Sequence, residues 1–253
     1  MGSLQYRFER ILKIAQIDFK KRYSDDALGL FWALLTPLFR LAVYYFVLSL
    51  LLGAREENFA FLLFSGLIIW MVFAESTNKG MRLLRSKRYL ISSIQFNKID
   101  LFIASNLTIF TGFVFNFLAY MAAALLYGIP FSFTILYMPI ILIIVFVLSM
   151  GVGMILSIIN LYIKDIQHLW SMILLFGFWT SGVFARTELF TAKFPELGYI
   201  NPFLGIIDNA RQIMMYGSSF KSTLIYSALY AVVVFLIGLF VFKRHAHLAL
   251  EKI

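Results

Sequence analysis

Apolar positions fall into six long runs separated by short polar segments. The runs cover about Phe31 to Gly53, Phe59 to Ala74, Leu101 to Tyr127, Ile135 to Ile163, Leu169 to Ala185 and Thr223 to Phe242. About twenty helical residues, at ~1.5 Å each, cross the ~30 Å hydrocarbon core of a bilayer. The pattern therefore predicts six membrane-spanning helices, the second and fifth of them short. Ahead of the first run, Leu4, Phe8, Ile11, Leu12, Ala15 and Phe19 recur at steps of three and four, one face of a helix. Arg7, Arg10, Lys13, Lys20, Lys21 and Arg22 lie mostly off that stripe. A basic amphipathic segment beside a span predicts a helix lying in the membrane interface, here over residues 1–30.

Residues 186–222 are too long for a turn and too apolar for a solvated loop. Within them Asn201 suits a helix cap, Pro202 the first helical position and Gly217 the helix end. A helix of about fifteen residues cannot span a bilayer, so a re-entrant or extracytoplasmic element is expected. The expected fold class is an all-α membrane protein with one transmembrane domain over 1–253. Residues 31–185 hold spans one to five, 223–242 hold span six, and 243–253 form a tail. No internal repeat or flexible linker interrupts it.

Composition reinforces the pattern. Hydrophobic residues make up 61% of the chain and charged residues 14%, against about 45–50% and about 25% in soluble domains. The net charge of +9 would suggest nucleic acid in a soluble protein. Here its distribution gives another reading. Sixteen of the 22 basic residues fall in the segments that share a side with the N-terminus, five fall on the other side, and Arg40 lies inside the first run. The positive-inside rule then places both termini in the cytoplasm and removes the case for nucleic acid.

Candidate chemistry is sparse. There is no cysteine, which excludes thiol catalysis and disulfides. The stretch from Gly217 to Ser222 lacks the glycine before lysine that a nucleotide loop needs, so no ATP hydrolysis is expected on this chain. His245 and His247 lie in a basic tail and His168 at a helix start, with no metal-ligand spacing. Acidic residues avoid the span centres, with Glu75 at the end of the second run and Asp165 in a short loop, which argues against ion-coupled transport. Arg40 is the exception. It either snorkels to the cytoplasmic headgroups or meets an anionic substrate group such as a lipid phosphate. Tyr44, Tyr45, Trp170, Phe176, Phe178, Trp179 and Phe184 gather on the first and fifth runs. Such rings can stack on sugars, and each also suits core packing.

Four stretches, in order along nearly the whole chain, resemble one family. They are residues 15–46, with Lys21, Arg22, Tyr23, Leu28, Gly29, Trp32, Pro37 and Leu38; residues 65–80, with a Gly-Leu, Trp, Phe pattern; residues 161–184, with Lys164-Asp165-Ile166; and residues 201–217, with Asn-Pro, a later Arg and a closing Gly. Together they resemble the permease subunit of type-2 ATP-binding-cassette exporters, in the branch that exports O-antigen, capsule or teichoic acid polysaccharides. The loop at 95–101 lacks the Phe-Pro and Leu-Pro frequent in that family.

The resemblance implies a homodimer in a bacterial cytoplasmic (inner) membrane with a pore between protomers. It also implies two separate ATP-binding subunits that carry the ATP and Mg, this chain having no cofactor of its own. The cargo would be a polyprenyl-pyrophosphate-linked glycan. Spans one and five would line its path through Tyr44, Tyr45, Trp170, Phe176, Trp179 and Phe184, and Arg22 and Arg40 would meet the pyrophosphate. Arg82, Leu84, Arg85, Arg88 and Leu90 would belong to a coupling segment docking on the ATPase. A type-2 exporter of a small amphiphile or drug, and a carrier needing no ATPase, are the alternatives.

Overall fold

The computed structural model describes residues 2–23, 29–51, 53, 56–93, 96–129 and 132–250. Leu28, used above, lies outside these. The described residues form helices joined by turns, with no strand among them.

The N-terminal helix α1 (Gly2–Tyr23) packs along α5 (Ile99–Leu126). Its bundle-facing side is not the apolar stripe. Of that stripe only Ile11 is buried, while Leu4, Phe8 and Leu12 stay exposed. The packed side is charged. Asp100 is fully buried and accepts hydrogen bonds from Arg7 Nε (2.8 Å) and an Arg10 terminal nitrogen (2.6 Å). Asp18 pairs with Lys87, and the Thr108 hydroxyl donates to the Ala15 carbonyl (3.2 Å). Ion pairs thus turn the polar face inward and leave the apolar stripe pointing away from the bundle.

Helix α2 (Phe31–Tyr45), continued by a π-helical turn (Phe46–Leu51), forms a hairpin with α3 (Phe59–Ser86). Helix α2 is almost wholly exposed and α3 mostly buried. With 28 residues, α3 is about 42 Å long and projects well beyond a ~30 Å core. It breaks at Lys87 into the short α4 (Arg88–Ser93). The chain leaves α5 through Gly128 at a φ of 71°, the left-handed conformation that suits glycine at a helix end. Helix α6 (Met138–Tyr162) follows, with Pro139 in its first turn.

Helix α6 is the hub of the bundle. Residues two apart on a helix point about 200° apart, so Gly151 and Gly153 serve opposite neighbours. A Cβ on Gly153 would lie 3.4 Å from the Gly80 Cα of α3. A Cβ on Gly151 would lie 2.7 Å from backbone atoms of Val234 and Phe235 in α11 (Thr223–Leu250). From the α11 side, a Cβ on Gly238 would sit 2.4 Å from the Gly151 carbonyl oxygen. Lipid gives apolar helices no hydrophobic reason to associate, and such glycine contacts supply close van der Waals packing in its place.

Among the described residues, five helices are long and apolar enough to cross a membrane: Phe31–Leu50, Phe59–Ser86, Ile99–Leu126, Phe133–Tyr162 and Thr223–Ala246. The expected fifth span differs. Helix α7 covers Ile166–Thr180 instead of Leu169 to Ala185, about 22 Å by helical rise. It stops because Gly182 takes a φ of 81° and the chain turns over residues 181–185. Two short helices, α8 (Thr187–Thr191) and α9 (Leu197–Ile200), lead to α10 (Pro202–Met214), which is buried on nearly every side. Asn201 caps α10 by accepting from the Phe203 amide (3.0 Å), as its spacing predicts, and donates to the Thr180 carbonyl (2.9 Å). The final helix also differs from expectation. It runs past Phe242 to Leu250, so the first part of the expected tail is helical.

Gly238→Leu forces a side chain into the α6 backbone, where overpacking costs about 1–3 kcal/mol or more. In detergent its melting temperature should fall by at least ~4 °C, whereas Gly128→Asn, at a turn with open space around it, should shift it by less than about 2 °C. Equal stability of both variants would show that the α6–α11 contact carries no weight.

Candidate functional site

A cavity of about 650 Å³ lies between the end of α1 and helices α2, α3, α5 and α7. Each helix contributes one stripe. Trp32, Thr36, Arg40 and Tyr44 recur every four residues on α2; Met71, Glu75 and Asn78 on α3, and Ser171, Leu174, Leu175 and Phe178 on α7, follow helical spacings of three and four. Arg22 and Tyr23 close the α1 end, and Ile109, Gly112, Phe113 and Asn116 form the α5 wall.

Pro37 shapes the α2 wall. It has no N–H, so the Ala33 carbonyl one turn earlier loses its helical donor. The Asn116 side-chain amide donates to that carbonyl (3.0 Å) and to Gly112 (2.9 Å). The kink-prone turn is thus tied to α5, and the following turn carries Arg40 and Tyr44 into the cavity. On α7, Gly177 leaves room for Trp70, whose ring would meet a Cβ there at 2.7 Å.

The cavity is amphipathic along its length. At its α1 end the Arg22 guanidinium faces the Glu75 carboxylate through two contacts, 2.6 and 2.8 Å, and lies 5.1 Å from the Tyr23 ring centroid. Arg40 has no ion pair or hydrogen bond with any described residue. At the other end Tyr44 packs on Phe178 (5.4 Å) and Phe184 (5.2 Å), and Phe178 approaches Trp70 (6.1 Å).

The structure separates the residues that the sequence grouped. Arg22, Arg40 and Tyr44 line the cavity. Phe184 lies behind Tyr44, stacked on Trp179 at 4.3 Å. Trp179 and Phe176 are exposed on α7, and Tyr45 is exposed on α2 beside Phe59. Trp170 is half-buried and donates to the Thr77 hydroxyl (3.1 Å), tying α7 to α3. Trp32, Trp70, Glu75, Asn78, Phe113 and Asn116 complete the lining; the i, i+4 stripe on α2 was a legible signal for Trp32 and Thr36.

In the coupling segment Leu84 is buried in the core, and Leu90 packs partly on the same cluster. Arg85 donates to the Leu161 carbonyl (3.2 Å) at the end of α6. The surface left exposed is therefore made by Arg82, Arg88 and Tyr89, with Leu84 holding it from within. No cluster of metal-ligating side chains occurs among the described residues.

At the opposite end of the bundle Arg211 is buried in α10 and donates to the carbonyls of Leu62 (3.0 Å), Val183 (2.7 Å) and Ala185 (2.9 Å). Around it Lys221 pairs with Glu188 (3.0 Å) and Asp208 (2.9 Å), and Arg186 pairs with Glu56. Burial opposes the charge on Lys221, but bonds to Asp208 and Glu188 outweigh it and raise the amine above its ordinary range. In the sequence Arg211 is the later Arg of the 201–217 stretch, and nothing near it marks its three acceptors.

The family model described as "ABC-2 type transporter" matches residues 9–215. Two proteins of Klebsiella pneumoniae named "O-antigen export system permease protein RfbA" are each 24% identical to this chain. One aligns over 96% of this chain and 94% of its own length, the other over 85% and 83%. A protein of the same name from Myxococcus xanthus is 26% identical over 71% of this chain and 68% of its own length. The matched region takes in the whole cavity and the segment from Arg82 to Leu90, and the chain belongs to the ABC-2 type transporter family.

Proposed function

We propose that this chain is the permease subunit of an ATP-driven exporter that moves lipid-linked polysaccharide across a bacterial cytoplasmic membrane. The observation that carries this is the cavity: among its described lining residues are two guanidiniums, Arg22 and Arg40, and one carboxylate, Glu75, with Arg22 and Glu75 at one end and aromatic rings at the other. That order suits a molecule with an anionic headgroup joined to a sugar, the first held by charge-assisted hydrogen bonds and the second by ring stacking. The names of its relatives favour a glycan over a small amphiphile.

In this reading the functional unit is a homodimer with two ATP-binding subunits, which carry ATP and Mg. Both termini are cytoplasmic, and the exposed stripe of α1 rests in the lipid interface. Exposed Tyr45, Phe176 and Trp179 face the seam between protomers and continue the glycan path. Arg82, Arg88 and Tyr89 dock on the ATPase. Its ATP-bound state selects the open arrangement of the bundle because the docking surface binds that state more tightly.

Tagged purification from native membranes in mild detergent should yield an ATP-binding-cassette subunit in stoichiometric amount. The pair Arg82→Glu and Arg88→Glu should cut its retention by about ten-fold at low salt; undiminished retention would remove the docking role. Tyr44→Ala and Phe178→Ala should each lower glycan export by about ten-fold or more with the complex intact. Full export by both would exclude the aromatic path, and export of a dye without glycan would move the cargo to small amphiphiles.

A further inference from the structure

The chain that leaves the aromatic end of the main cavity leads into a second one. Phe184 packs on Tyr44 at 5.2 Å, and Arg186 follows two residues later. Arg211 holds the carbonyls of Val183 and Ala185, on either side of Phe184, and so fixes this segment. Arg186, Glu188 and Asp208 then line a cavity of about 290 Å³ with Gln212, Tyr216 and Ser218, and the buried Arg211 completes it. That volume is at the small end of the ligand range of about 300–1,000 Å³, which suits a single ring.

No aliphatic side chain is among the described lining residues, so an apolar ligand gains nothing there. The charges also cancel. Two guanidiniums share the lining with two carboxylates, Lys221 joins Glu188 (3.0 Å) to Asp208 (2.9 Å), and Arg186 pairs with Glu56. An anion would meet the carboxylates and a cation the guanidiniums. What remains is hydrogen-bonding capacity of both kinds. A carboxylate has about four acceptor sites, so Lys221 leaves some of them open. Burial opposes the charge on Glu188, but its own backbone amide and Lys221 outweigh it and hold the carboxyl below its ordinary range. It therefore only accepts. The Gln212 side-chain amide bonds to no described residue, and Arg186 contacts Glu56 through Nε, leaving its terminal N–H groups. Tyr216 is exposed at the rim, with the Arg186 guanidinium 5.9 Å from its ring centroid.

We propose that this cavity is a sugar-binding subsite, taking one uncharged pyranose ring of the glycan as it leaves the aromatic end of the main path. The proposal rests on the glycan reading given above. Neighbouring sugar hydroxyls each donate and accept, and carboxylates beside guanidinium and amide groups match them. The Tyr216 ring offers a surface to the C–H face of the same sugar. A uronic acid is turned away by Glu188 and Asp208.

The chain has no cysteine, so Ser218→Cys places a single thiol in the cavity. In the full chain in detergent, alkylation of that thiol by a maleimide is timed with methyl glycosides of glucose, galactose, mannose and N-acetylglucosamine. At least one should slow it about three-fold or more, with half the effect near about 1–10 mM, and methyl glucuronide should not. Glu196→Cys, exposed outside the cavity, should react at an unchanged rate throughout. Glu188→Ala and Gln212→Ala, each added to Ser218→Cys, should weaken the protection about three- to ten-fold. Saturation-transfer NMR on the wild-type chain should show the same preference among glycosides, independently of the cysteine.

Absence of protection together with absence of transfer to the wild type overturns the subsite. So does equal protection by methyl glucuronide, equal slowing at Glu196→Cys, or protection that both alanine variants leave intact. Glycan export that persists in any of these cases leaves the exporter reading standing, whereas export of a dye without glycan removes that reading itself.

Discussion

Lipid supplies no hydrogen bonds, so each backbone carbonyl that leaves a helical ladder inside the bundle must find a donor from a side chain. Two places in this protein depend on that constraint. At Pro37 the Ala33 carbonyl is released and Asn116 answers it. At the end of α7 the turn over residues 181–185 frees carbonyls of Val183 and Ala185, and Arg211 reaches both along with Leu62. The first keeps α2 against α5 and so makes one wall of the cavity. The second allows α7 to stop short and α10 to fold back into the bundle. Without these donors each irregularity would cost about 1–3 kcal/mol of unpaired polar group.

The bundle meets its packing requirement by a different route. Glycines on α6 bring α3 and α11 to backbone contact on opposite faces. This rigid core contrasts with α2 and α7, which show apolar side chains outward along most of their length. The cavity opens at the boundary between the two regimes. Its walls are the mostly buried α3, the partly buried α5 and two peripheral helices, α2 and α7. A change in the position of the peripheral pair would alter the cavity without disturbing the glycine contacts.

Charge links the same boundary to the break between α3 and α4. Lys87, at the break between α3 and α4, pairs with Asp18 of α1, and one turn further along α1 Arg22 meets Glu75 in the cavity. The exposed Arg82, Arg88 and Tyr89 therefore sit a few side chains from the Arg22–Glu75 end of the cavity.

The sequence by itself determined the solvent and the helical class. Apolar runs of bilayer length, basic loops and the absence of a nucleotide loop follow from local composition. The Asn201 cap and the helix after it are also local, since a cap needs only the next two residues. Tertiary structure decided which faces meet. Nothing near Arg22 in sequence marks its partner, 53 positions away, and the Asn116 that answers Pro37 lies 83 positions from its acceptor. The stripe on α1 reads as a face for the membrane interface and is mostly exposed, but its sequence does not show that the charged side packs on α5 around the buried Asp100. The end of α7 differs from expectation for a related reason. Hydropathy records what lipid tolerates, while the last residue of this helix depends on where a distant side chain, Arg211, donates to the released carbonyls.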